Sequence, residues 1–296
     1  LTAVLCLSGN LWAYSGGDGN TVNPYQIANI ADFQQLTIDD PNWSMSFILT
    51  ANIDLTGLTF TQAPIAPDTS PNNLEFHGTP FTGIFDGDGH IISNLTITAS
   101  TQDYIGLFGY VGSGGQIRNL GVEDVNMTGS RSVGGLVGYN YYGTLTSCYA
   151  TGSVHGIGLV GGLVGYNGGT LISCYATCSV SGTGYYSVGG LVGRNSGYYG
   201  GGTITACYAT GLVTGTGENS YVGGLVGYND GYYGGGTITA CYAIGSVTGT
   251  GLYSYVGGLV GENGGTLISC YATCSVSETG ENSSVGGPVG GNYGSI

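Results

Sequence analysis

Through most of this chain the apolar positions come in short bursts broken by glycine and asparagine, without the three- to four-residue spacing of a helix. The residues in those bursts are Val, Ile, Thr, Tyr and Cys, and runs of Ala, Leu, Glu and Lys are missing. β-Branched and aromatic side chains punctuated by Gly and Asn predict short strands joined by tight turns. The N-terminal region differs in style. There the pattern predicts a short strand at Tyr25–Ile27, a brief helix near Ala31–Leu36, and one alternating strand through SFILTANIDLTG from Ser46. Residues 59–79 read as a Pro- and Asn-containing loop.

The bursts repeat. VGGLVGYN at Val133 returns as VGGLVGYN at Val160, VGGLVGRN at Val188, VGGLVGYN at Val222, VGGLVGEN at Val256 and VGGPVGGN at Val285, in steps of 27, 28, 34, 34 and 29 residues. A second block follows each of the first five: TLTSCYATGSV, TLISCYATCSV, TITACYATGLV, TITACYAIGSV and TLISCYATCSV. Self-similarity at this period means stacked repeats. A propeller blade needs four strands in about 40 residues or more, whereas these repeats offer two clear strands and a weaker third. The expected fold is all-β, a parallel β-helix in which each strand pairs with its equivalent one coil on. The longer copies gain residues at two turns, between the blocks (SGYYGGG, DGYYGGG) and after the second (GTGENSY, GTGLYSY). Insertions there leave the strand register intact.

GGLVG followed by CYATGSV resembles the GLUG-motif repeats of large bacterial secreted and cell-surface proteins. FTGIFDGDGHIISNLTI from Phe81 resembles what precedes such repeats, and the likeness extends from about Pro24 to the end. It implies a right-handed β-helix in an extracellular setting, and little about chemistry. The expected organisation is a signal-peptide remnant at 1–13, an N-terminal cap with a short helix at 14–80, first regular coils at 81–132, and GLUG-type coils at 133–296. About eight coils at roughly 4.8 Å each would make a rod near 40 Å long. Leu1–Ala13 is apolar and uncharged, as the rear of a secretory leader would be. The missing initiator Met and a last coil that stops halfway read as a piece of a longer frame.

Aligning IISNLTI, IRNLGV and LTSCYA predicts two inward columns, Leu95–Leu120–Cys148 and Ile97–Val122–Ala150, with Tyr149 and its equivalents outside. Cys148, Cys174, Cys207, Cys241 and Cys270 then form a ladder of small buried side chains. In-register Cβ atoms at strand spacing are too far apart for a relaxed disulfide. No His shares the column, so neither metal nor cofactor is expected.

Net charge is −14, with three Arg and no Lys, which argues against a nucleic-acid partner. No segment after residue 13 has the apolar length to insert in a membrane. The best catalytic-looking cluster is Asp86, Asp88 and His90 in FDGDGH, where paired carboxylates beside a His could work as acid and base on a polysaccharide. The plainer reading is a tight turn whose carboxylates accept backbone N–H bonds, and the resemblance favours it. Scattered arginines and the absence of lysine weigh against a lyase. None of His77, His90 and His155 stands in an HExxH pattern. Aromatic strips are the stronger signal: the column Tyr149, Tyr175, Tyr208, Tyr242 and Tyr271, and the loop pairs Tyr198–Tyr199 and Tyr232–Tyr233. They could meet sugar faces or a protein partner, or simply stabilise neighbouring rungs. A threonine rank (Thr144, Thr170, Thr203, Thr237, Thr266) offers a weaker ice-binding alternative, interrupted in its second column by Ile172 and Ile268. The expectation is a non-enzymatic, secreted or surface-exposed segment that serves as an adhesin-like stalk or binding surface for glycan or protein. A carbohydrate-active β-helix enzyme is the competing class.

Overall fold

The computed structural model describes residues 14–70, 75–197, 201–232 and 235–296. The leader expected at 1–13 lies outside the described residues. One repeat shows how the chain is laid down. From Ser132 it makes four strands, Ser132–Gly134, Val137–Asn140, Thr144–Thr146 and Tyr149–Gly156, and then starts again at Leu159–Gly161. Each strand pairs in parallel with its equivalent one coil on: Val133 with Val160, Asn140 with Asn167, Thr144 with Thr170, Tyr149 with Tyr175. Four sheets result, called here the Val, Asn, Thr and Tyr sheets. Among the described residues they hold six, seven, nine and ten strands. The coil therefore has four strands rather than two or three, because each sequence block is folded in its middle.

Both folds have local causes. In GGLVG the glycines sit where backbones touch. A Cβ on Gly189 would lie 2.1 Å from the Val192 carbonyl oxygen, and one on Gly190 2.1 Å from that of Gly224. No side chain fits there, so the chain bends between the Val and Asn sheets while Leu191 turns fully inward. The second block bends at a left-handed residue before each column cysteine: Ser147, Ser173, Ala206, Ala240 and Ser269 have φ of 53–54°. Leu145 and Cys148 are three apart, which on a straight strand would put them on opposite faces. The left-handed residue between them restores both to the core, and both are fully buried.

The core changes along the rod. Phe47, Phe81, Phe85 and Phe108 fill the first coils, with Phe81 and Phe108 edge-on at 5.0 Å. Beyond Val133 the same interior is built from Val, Leu, Ile, Cys and Ala. The helix Ile30–Leu36 covers the N-terminal end with Phe33 and Leu36. Asn29 caps it by accepting from Ala31 and Asp32 N–H at 2.9 and 3.1 Å. The Asp32 carboxylate answers by accepting from the Asn29 amide and the Ala28 N–H, both at 2.9 Å. Trp43 closes the far end of that helix by donating its indole N–H to the Leu36 carbonyl at 2.9 Å.

Three expectations need correction. SFILTANIDLTG is two strands, Ser46–Leu49 in the Thr sheet and Ile53–Asp54 in the Tyr sheet, because the chain turns a corner at Thr50–Asn52. The Leu120–Cys148 and Val122–Ala150 columns hold, but Leu95 and Ile97 do not belong to them. Ile92 pairs with Val122, and Ile97 with Met127. Phe85, not Ile92, is the partner of Ile117. The cause is that the two Asn-Leu pairs mark different bends: left-handed Asn94 is the equivalent of Asp124, inside the Tyr sheet, whereas Asn119 turns the corner from the Thr sheet into it. Finally, residues 59–79 are only partly loop: Thr59–Phe60 pairs with Thr96–Ile97, and Ile65 bridges to Phe108.

Candidate functional site

The tyrosine column stands where expected, on the outer face of the Tyr sheet. Its rings stack in parallel at centroid spacings of 4.7, 4.8, 4.9 and 5.2 Å from Tyr149 to Tyr271. This geometry matters for recognition. Each ring face is covered by the next ring, so the column presents ring edges and hydroxyls to its surroundings. Tyr149 donates to Glu123 at 2.6 Å, and burial, then that hydrogen bond, raises its phenol pKa. Tyr271 at the end is half exposed. Each stacked pair contributes roughly 0.5–1.5 kcal/mol beyond area burial.

Of the loop pairs, Tyr198, Tyr199 and Tyr233 lie outside the described residues. Tyr232 is 66% exposed, and Tyr185 63%. Tyr141 and Tyr142 stand edge-on at 4.6 Å at the corner between the Asn and Thr sheets. The threonine rank is in register on the Thr sheet, and Ile172 and Ile268 interrupt its companion column.

The FDGDGH residues do not converge. Asp86 accepts from Arg118 at 2.7 Å, from Asn119 at 3.1 Å and from the Asp88 N–H at 2.9 Å. Burial works against its charge, but these donors outweigh burial and hold the carboxyl below its usual range. Asp88 supplies the left-handed turn residue at φ 50°. His90 turns to Asn52 on the neighbouring coil, 3.2 Å away. The three side chains thus build a corner. Among the described residues no group of three or more His, Cys, Asp or Glu is placed to hold a metal ion. The column cysteines and Cys178 are free thiols.

Two ladders escaped the sequence reading. Asn140, Asn167, Asn195, Asn229 and Asn263, which end the VGGLVGxN blocks, are fully buried, and each amide donates to the Asn one coil on, the last to the exposed Asn292, at 2.8–2.9 Å. The recurring letter was visible, but Asn also marks turns, and only stacking tells the two uses apart. The residue before it forms a second outward column, Tyr139, Tyr166, Arg194, Tyr228 and Glu262. Tyr110, Tyr139 and Tyr166 stack at 5.1 and 4.3 Å. Arg194 follows, its guanidinium 5.8 Å from the Tyr166 ring centre and 5.2 Å from that of Tyr228, and it donates to Asp230 at 2.5 Å.

Parallel strands stacked in four sheets, with side-chain ladders along each, define a parallel β-helix repeat protein. The family described as the GLUG motif matches residues 129–154, 184–214 and 218–248, so the chain carries GLUG repeats and these build its coils. Halomucin of Haloquadratum walsbyi is 36% identical over 162 residues, 52% of this chain and 2% of halomucin. A protein of Evansella cellulosilytica named as a candidate Gly-rich membrane protein is 34% identical over 131 residues, 43% of this chain and 14% of that protein. The chain thus corresponds to a small part of each relative's length. The crystal structure of a candidate immunoglobulin A1 protease from Bacteroides ovatus superimposes with a TM-score of 0.63 at 24% identity, over 95% of this chain and 77% of that one. This likeness concerns the fold.

Proposed function

We propose that this chain is a non-enzymatic, surface-exposed β-helical segment, an adhesin-like stalk whose corners carry aromatic contacts for a glycan or protein. The observation that carries the reading is the division of labour among its tyrosines. Those on the Tyr sheet stack on one another and stiffen the rungs, while Tyr185 and Tyr232 at the corners stand largely exposed. Rings held on a rigid scaffold supply contact area at low entropic cost. Further support comes from Asp86 and His90, whose hydrogen bonds serve the corner, and from a relative named as a membrane protein. Among the described residues no helix is long and apolar enough to cross a membrane.

The test is a glycan array, with adhesion to intact cells alongside it, comparing wild type with the combined Tyr198, Tyr199, Tyr232 and Tyr233→Ala variant. Binding is expected to fall while the circular dichroism spectrum is unchanged. Undiminished binding by the variant would remove the corner tyrosines as the contact surface. Turnover of an arrayed glycan would remove the non-enzymatic reading.

A further inference from the structure

The outward column of the Asn sheet changes character near its far end. Tyr166, Arg194, Tyr228, Glu262 and Gly291 occupy one register position on successive coils. Within that column the chain has already built one cation site for itself. Arg194 lies between the rings of Tyr166 and Tyr228, with the Asp230 carboxylate closing it. One step further on, the same ingredients recur without the cation. Tyr228, Tyr232 and Tyr293 wall an open cleft of about 290 Å³, Gly231 and Gly264 leave room at its sides, and the Glu262 carboxylate lines it. Tyr228 is itself held by stacking on Tyr221 at 5.1 Å. Tyr293 is steadied by a hydroxyl contact with Tyr255 at 3.3 Å.

Among the described residues no cation is placed against Glu262. There is no lysine, and the three arginines are engaged: Arg118 on Asp86, Arg194 on Asp230, and Arg131 over the Tyr186 ring. Burial raises the Glu262 carboxyl above its ordinary range. That is the signature of a desolvated acid lacking a compensating cation. A net charge of −14 would draw basic surfaces toward the rod.

We propose that this cleft receives a basic side chain, lysine or arginine, of a partner polypeptide. The cation meets the Glu262 carboxylate and the aliphatic stem lies against the tyrosine rings. A polypeptide is favoured over an amino sugar because the precedent one coil away is itself a side chain threaded between rings. This deepens the reading of the rod as a binding surface, and rests on it, by naming the chemistry of one partner.

The experiment is an NMR titration of the whole chain with a short glycine peptide carrying a central lysine. Its arms are the same peptide with that lysine acetylated, and a glucosamine oligomer. Saturable shifts at the amides of Gly231, Glu262 and Gly264 are expected with the lysine peptide. Glu262→Gln or acetylation should each weaken binding by about tenfold or more, as loss of a charge-assisted hydrogen bond does. Glu218→Gln removes the same net charge from an exposed site elsewhere and should leave binding unchanged. The proposal is overturned if the wild type shows no saturable shift, if Glu262→Gln or the acetylated peptide binds as well as the parent, if Glu218→Gln weakens binding as much, or if only the glucosamine oligomer binds. These outcomes are separable from failure of the broader reading. Glycan or cell binding lost on alanine substitution of the corner tyrosines, with no lysine selectivity, sinks the cleft alone.

Discussion

At the scale of single residues, the buried asparagines and cysteines do most to specify the stack. Asn195 donates to Gly202 O at 2.7 Å and to Asn229 Oδ1 at 2.9 Å, and accepts from Asn167 at 2.8 Å. The ladder has a visible start: Asn140 pairs with Val111 on the coil before it, and its Oδ1 has no partner. Replacing Asn195 by Ala would leave Asn229 Oδ1 without its donor and the Asn167 amide one acceptor short inside the core, while Gly202 O keeps the Thr237 N–H, at a cost of about 1–3 kcal/mol. Chemical denaturation should show this loss, whereas Thr203→Ala on the outer face should change stability by less than about 0.5 kcal/mol. The thiols make a prediction of opposite chemistry. Hydrogen bonding along the cysteine column, then burial, pushes Cys207 and Cys241 up to about 12 from an ordinary 9.0, and burial does the same for Cys178. Between those values the folded state holds protons that the unfolded chain has released. Their contribution is therefore complete below pH 9 and is lost as pH rises from 9 toward 12, by up to about 1.4 kcal/mol per unit for each thiol. Melting temperature should fall over that window, and less steeply in a Cys178, Cys207 and Cys241→Ala variant. A slope equal to that of wild type would show that the thiols do not carry the effect.

At the scale of elements, the corners decide the fold, and there the sequence was only partly legible. Stacking was readable because identical letters recur at one period, and Leu120, Cys148 and Ala150 fell into the right columns for that reason. What could not be read was the bend inside each block. Gly-Gly permits a corner, but nothing local says that another backbone lies 2.1 Å from the missing Cβ. Likewise Ser147 and Ala206 carry no letter that announces a left-handed residue, a conformation that costs about 1 kcal/mol or more outside glycine and is imposed here by the packing of Leu145 and Cys148 on either side. The alignment of Leu95 with Cys148 failed because Asn-Leu marks two different bends, at Asn94 inside the Tyr sheet and at Asn119 on the corner before it, and letter matching cannot tell them apart. The candidate surfaces show the same divide. The Tyr149–Tyr271 column was legible as a row, but whether its faces or its edges are presented depends on ring orientation. The Glu262 cleft needs residues from three coils and carries no motif. The corner argument is testable at Gly190, whose Cβ would meet Gly224 O with no flexible side chain to move aside. Gly190→Ala is expected to destabilise by about 2 kcal/mol or more, while Gly287→Ala, open on the last coil, should be near neutral. Equal melting temperatures for the two variants would mean that the corners tolerate side chains.

At the scale of the molecule, each coil contacts mainly its two neighbours, so the rod should behave as a stack of exchangeable units. Register supplies the cut points. Thr203 pairs with Thr237 ahead of it and with Thr170 behind, and Gly202 immediately precedes Thr203 just as Gly236 precedes Thr237. Deleting residues 203–236 joins Gly202 to Thr237 and removes one full coil. Thr237 then falls on Thr170, Cys241 on Cys174, Tyr242 on Tyr175 and Asn263 on Asn195, so these four ladders close over the gap with like on like, while Glu262 comes to face Arg194. The shortened chain should fold, keep its strand signal, and be shorter by about 4.8 Å in small-angle scattering. Deleting only 203–219 instead removes half a coil and sets Ser220 against the Thr sheet. It puts Tyr221 and Gly224 where the chain needs Ile204 and Cys207, and strands Asn229 away from its amide partners, so that variant should be insoluble or unfolded. The contrast separates two accounts of what holds the rod together. If stability came from burial regardless of register, the smaller deletion would be the milder one. If it comes from ladders in register, removing more residues does less harm to the fold, although this cut also takes away Tyr228, Gly231 and Tyr232 and with them one wall of the Glu262 cleft.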